Sequence, residues 1–215
     1  MCGRYYADDK DEAMQRILEA LNRAPLTGRM TAALGREAIR GGEVAPSQIV
    51  PALAANRRGG RDVFPMRWGY TLRGRSGLVI NARSETAAEK PLFRESWRAR
   101  RCVLPASGYY EWARETLPNG RQRLGQRYAI RPAQPAPDGL VYLAGLYRIE
   151  ENGFPAAVIL TRAPGEEIAW LHDRMPLILS REDAEAWIRA GSDPELLLSR
   201  AVTRVRLREA QPEMA

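Results

Sequence analysis

The chain has 215 residues, 45% of them hydrophobic and 27% charged, which is the composition of a globular protein and not of a disordered or fibrous one. No apolar run is long enough to cross a bilayer, the N-terminus moves straight from Cys2 to charged residues without an apolar signal core, and two cysteines are too few for a disulfide framework, so neither a helical membrane protein nor a disulfide scaffold is expected. The formal net charge is +7, and Lys10 and Lys90 are the only lysines among 33 basic residues. Arginine forks match phosphate oxygens, so a polyanionic partner is expected, although a GC-rich genome would write the same excess. A soluble, cytoplasmic monomer is expected, one domain over residues 1–215, with free thiols and neither cofactor nor metal.

The chain opens with Met1-Cys2-Gly3. Loss of Met1 would leave Cys2 with an amine and a thiol on adjacent carbons, two nucleophiles that can close a five-membered ring on one carbonyl carbon. Position alone does not separate this from chance.

Residues 8–21 place Ala13, Met14, Ile17, Leu18 and Leu21 at helical spacing. Asp9 is the expected N-cap with Glu12 in the capping-box position, and Pro25 and Gly28 close the helix. Residues 31–39 form a second, weaker helix. Residues 44–54, with Pro46 and Pro51, read as extended segments at a sheet edge. Residues 57–61 are a basic turn.

Phe64 to Tyr70 interleaves Arg67 with aromatics, Trp68 among them, a pattern that stacks unpaired bases or fills a core. Leu78-Val79-Ile80 is a short strand that delivers Asn81-Ala82-Arg83-Ser84-Glu85-Thr86 at its end, where sites are assembled. A basic helix follows from Pro91 to Arg101, then a strand at Cys102-Val103-Leu104. In the next extended segment Tyr109 and Glu111 face one way, Tyr110 and Trp112 the other. A carboxylate among aromatics loses hydration, which suits Glu111 to shuttle a proton; an edge-strand glutamate paired with arginine is the alternative. Cys102 reads as a small buried hydrophobe.

Pro118-Asn119-Gly120 marks a hairpin, with Tyr128-Ala129-Ile130 returning. After the proline-rich loop at 132–139, residues 140–147 and 156–161 are apolar strands. His172, the one histidine, stands in Leu171-His172-Asp173-Arg174-Met175-Pro176, able to move a proton or hold a ligand, or simply a structural hydrogen-bonding group. Residues 176–179 form a strand. Ser180 and Asp183 cap a helix that ends near Gly191, residues 194–201 a last helix and 202–207 a final strand; a mobile tail runs from about 208 to 215. Many short strands with few helices give an α+β class built on antiparallel sheet.

Taken in order, Met1 to Tyr5, Asn81 to Thr86, Glu89-Lys90-Pro91 with Phe93-Arg94, Arg101 to Trp112, Ala144-Gly145-Leu146, Leu160-Thr161 and His172 to Pro176 resemble the SOS response-associated peptidase family over nearly the whole chain. The resemblance implies a barrel-like sheet with flanking helices. It also implies a DNA-damage protein that removes its own Met1 and traps abasic sites in single-stranded DNA, a lyase-like crosslinking activity nucleoid-associated when bound. Under it, the Cys2 amine forms a Schiff base at the sugar C1 and the thiol closes a thiazolidine. Asn81 would position the N-terminus or sugar, Glu111 act as general acid and base, and His172 assist ring opening. Arg4, Trp68, Arg83, Trp112 and Arg174 are expected at the DNA.

Two stretches depart from the family pattern: Tyr70-Thr71-Leu72 leads into a short basic Arg73-Gly74-Arg75, and Pro164 stands near where an asparagine is usual. Two rival functions remain. One is an N-terminal-nucleophile glutamine amidohydrolase, whose free amine serves the thiol as base. The other is a basic module that binds nucleic acid without a covalent bond and lets go in high salt.

Overall fold

The structure, a computed structural model, describes residues 3–211. In chain order the elements are β1 (Arg4–Ala7), α1 (Glu12–Arg23), α2 (Pro25–Leu34), β2 (Gly42–Val44), β3 (Ile49–Ala55), β4 (Arg61–Trp68), β5 (Tyr70–Leu72), β6 (Arg75–Val79), β7 (Asn81–Arg83), α3 (Ser84–Ala87) and α4 (Pro91–Ala99). There follow β8 (Arg101–Ala106), β9 (Gly108–Thr116), β10 (Gln122–Pro132), β11 (Val141–Ile149), β12 (Pro155–Arg162), a 3-10 turn at Glu166–Ile168, β13 (Met175–Pro176), β14 (Ile178–Leu179), α5 (Arg181–Ile188), α6 (Pro194–Ser199) and β15 (Val205–Ala210).

Two sheets organise the α+β fold. In one, β4, β3, β8, β11 and β12 pair in turn, and the parallel contact of β12 with β4 closes them into a ring. The other is open, in the order β15-β10-β9-β1-β2. Ring strands are covered on both faces, which is why β8 and β12 are almost wholly buried and read as continuous apolar runs and not as alternations. Close strand approach inside the ring needs Gly145. A β-carbon there would stand 2.7 Å from Leu104 Cδ1 and 2.8 Å from the Val158 carbonyl oxygen, closer than atoms pack.

The helices seal the outside of this ring. Trp187 of α5 is fully buried, donates to the carbonyls of Cys102 and Gly145, and meets Trp97 of α4 edge-on. Arg101, at the start of β8, is buried and donates to the carbonyls of Trp97, Trp187 and Arg189, satisfying the C-terminal ends of both helices.

Several local expectations shift. Asp11, not Asp9, caps α1, accepting from the amides of Ala13 and Met14. Pro25 opens α2 instead of closing α1, because a first helical position needs no donor. Residues 49–55 are interior to the ring, paired on both sides, with Pro51 opposite Pro65. The last strand runs to Ala210 on β10, so residues 208–210 are hydrogen-bonded sheet and not tail. The hairpin at 118–120 and the Ser180 cap of α5 form as expected.

Candidate active site

The open sheet sets the site's first wall. Arg4 pairs with Tyr110 and Tyr5 with Tyr109, in antiparallel register. Alternation therefore puts Tyr109 and Glu111 on one face and Tyr110 and Trp112 on the other, as read from the sequence. Across the next ladder Glu111 stands opposite Tyr128. Tyr5 and Tyr109 are fully buried beside it, and Glu111 is itself only 5% exposed. Burial pushes its carboxyl from 4.5 up to about 7, with Asp173 adding to the rise and Arg114 opposing it.

Trp68 is a strut and not a surface platform, which corrects the expectation that it meets DNA. It is fully buried, lies against Tyr5 with ring centroids 5.2 Å apart, and donates from its indole nitrogen to the Ile80 carbonyl. The next residue is Asn81. Contacts thus run from the Glu111 face through Tyr5 and Trp68 to the start of β7. That short strand lies parallel to β12, pairing Asn81 with Ile159 and Arg83 with Thr161. Asn81 and Arg83 share one face, Arg83 exposed and Asn81 half-buried.

His172 follows the 3-10 turn, its amide held by the Ile168 carbonyl at 3.1 Å. Nδ1 accepts from the Arg174 amide at 3.0 Å and also faces Asp173 Oδ1 at 2.7 Å. The two partners favour opposite protonation states. Burial holds the imidazole below its ordinary pKa, and Asp173 is 79% exposed and free to turn to water. A neutral ring that accepts the Arg174 amide at Nδ1 would carry its proton on Nε2. Arg114 and Asp173 act electrostatically on both His172 and Glu111, so these two groups share one locality.

Arg174 is engaged inside the protein. Its two terminal nitrogens grip both oxygens of Glu85 at 2.9 and 2.7 Å, and one also meets the Thr161 carbonyl at 2.7 Å. Arg174 thereby ties the His172 loop to α3 and β12, and its fork draws the Glu85 carboxyl below the usual carboxylate range. Arg4 pairs with Glu43 at 3.0 Å and donates to the Gly3 carbonyl, while Trp112 is half-buried beside Tyr110 on the face away from Glu111. Cys2 lies outside the described residues. Cys102 is fully buried, which drives its thiol far above the range of a reactive cysteine.

Residues the sequence reading passed over are Arg114, which no motif marks, and Glu85, which lies inside one but whose partner is 89 positions away. Among the described residues no group of three or more histidine, cysteine or acidic side chains could hold a metal. Among the described residues no helix is long and apolar enough to cross a membrane.

The model of the family described as SOS response associated peptidase matches residues 1–211. The chain belongs to this family. It is 34% identical over 169 residues to the abasic site processing protein YobE of Bacillus subtilis, covering 73% of this chain and 72% of that one. Against the abasic site processing protein YedK of Escherichia coli it is 32% identical over 136 residues, 58% of this chain and 54% of the other. A solved structure, that of a phage-related protein of Bordetella bronchiseptica, superimposes with a TM-score of 0.69 at 20% identity over 99% of this chain and 95% of its own, which shows a shared fold.

Proposed function

We propose that this family member processes abasic sites in single-stranded DNA, acting as a monomer that captures the ring-opened sugar on Cys2 once Met1 has been hydrolysed away. The observation that carries this reading is Glu111: a buried carboxyl with a pKa near neutrality, on a strand whose ladder with β1 runs back toward Gly3. The names of the relatives YobE and YedK supply the substrate class.

In the proposed reaction the neutral Cys2 amine adds to the C1 aldehyde and gives a carbinolamine. Protonated Glu111 donates to the departing hydroxyl, water leaves, and an imine forms. The thiol then adds to the imine carbon, its proton passing to nitrogen through the Glu111 carboxylate, and a thiazolidine closes with net loss of one water. His172, a donor through Nε2, assists opening of the sugar ring. Asn81 holds the amine or the sugar. Exposed Arg83, half-buried Arg4 and other arginines of a chain with net charge +7 attract the phosphates. Arg174 contributes by holding the His172 loop.

The test is a denaturing gel of purified protein mixed with a single-stranded oligonucleotide carrying one abasic site. A retarded band that is absent with undamaged DNA and with Cys2→Ala is expected. Absence of the band with protein whose Met1 is gone contradicts the proposal.

A further inference from the structure

Among the described residues four large hydrophobic side chains are exposed: Leu124, Ile149, Trp170 and Leu196. Isolated apolar residues on a surface are ordinary. Trp170 differs by its place and its order. It is 62% exposed, yet stands between Ile168 and Leu171, both buried, and its indole nitrogen donates to the Glu167 carbonyl at 3.0 Å. Its ring meets Tyr128 edge-on, centroids 5.4 Å apart at 90°. Tyr128 is the residue directly across the ladder from Glu111, where opposing β-carbons lie about 5 Å apart, and His172 follows Trp170 by two positions. A fixed, open indole face therefore stands at the margin of the Glu111 and His172 locality.

We propose that Trp170 is a stacking platform for an unpaired nucleobase next to the abasic sugar. The inference rests on the nucleic-acid reading above and adds a base-binding position to it. A missing base leaves its neighbours without a stacking partner on one side, and an indole can replace that partner without reading sequence, since every base has a π-face. Local charge points to a base and not to a phosphate. Glu166 and Glu167 precede Trp170 and Glu209 pairs with Tyr128 on β15, while Arg204, a cation on this side, is 3.7 Å from Glu167 and engaged with it.

The experiment uses oligonucleotides with a tetrahydrofuran abasic analogue, which has no aldehyde and so reports binding alone, followed by fluorescence anisotropy. Trp170→Ala is expected to weaken binding about tenfold, the scale of one lost stacked base, and Trp170→Phe to restore most of the loss. Replacing both nucleotides that flank the lesion by further abasic analogues should erase the difference between wild type and Trp170→Ala, because the platform then has nothing to hold. The slope of log affinity against log salt should stay the same in Trp170→Ala, whereas Arg83→Ala lowers it by about 1. Melting curves establish that the variants fold. Wild-type affinity in Trp170→Ala, or a loss that persists without flanking bases, overturns the inference. Failure of the wild type to crosslink a true abasic site would instead contradict the function proposed above, and is read separately.

Discussion

Two glutamates of this molecule are buried to nearly the same degree, Glu111 at 5% and Glu150 at 8% exposure, and their surroundings send them in opposite directions. Glu150 closes the end of β11. Burial alone would raise its pKa, yet the Thr71 hydroxyl and amide together with Arg148 at 2.8 Å hold it below the ordinary value, and Arg67 lies 3.3 Å away. Through those contacts it pins the β5–β6 hairpin to the ring. At Glu111 burial outweighs the positive charge nearby, and the carboxyl is pushed up to about 7. Low exposure by itself says nothing about role; what separates the two carboxyls is how far the fold stabilises the charge of each.

Glu111→Gln sharpens this contrast most. Crosslinking to abasic DNA should slow by about 10²–10⁴-fold, since the isosteric amide cannot donate a proton to the leaving hydroxyl. The same substitution should stabilise the fold above neutral pH. Between 4.5 and about 7 the folded protein holds a proton that the unfolded chain releases, so stability conferred by the protonated form is full below 4.5 and lost as pH rises through about 7. Urea unfolding should find Glu111→Gln more stable than wild type by up to about 3 kcal/mol at pH 8, with no gain at pH 4.5.

Glu150→Gln should do the reverse. It leaves Arg67 and Arg148 without their carboxylate and lowers stability by about 1–3 kcal/mol, without moving the pH at which crosslinking declines. A smaller effect is expected at Glu85→Gln. Loss of the two-pronged grip on Arg174 loosens the His172 loop, and the crosslinking rate at saturating DNA should fall about threefold to tenfold, a range typical of one lost charged hydrogen bond at an exposed pair. Glu85→Asp, which keeps the charge, should recover part of it.

How much of this was legible in the sequence follows from how local each cause is. Alternation along residues 108–112 gave the correct face for Glu111, and Pro118-Asn119-Gly120 gave its hairpin, because both depend on neighbours in the chain. Trp68 was misread for the opposite reason. Whether an aromatic in a strand faces solvent or core is settled by ring closure, here a parallel contact between β4 and β12 that brings residues 68 and 157 side by side. The helix at 12–23 was visible from its apolar spacing, but its cap was placed at Asp9, two residues early, and only the geometry of the turn selects Asp11. Trp170 carries no pattern at all: its significance comes from Tyr128, 42 positions earlier, and the strand pairing that sets Tyr128 opposite Glu111.

The most direct measurement of the central claim is the mass of the crosslinked N-terminal peptide after nuclease and protease digestion, with no borohydride added. A peptide beginning at Cys2, heavier by the sugar fragment less one water, with the attachment mapped to that residue's nitrogen and sulfur, is the predicted result. An adduct on any other residue, one that survives only after reduction, or one on a chain that still carries Met1 would contradict it.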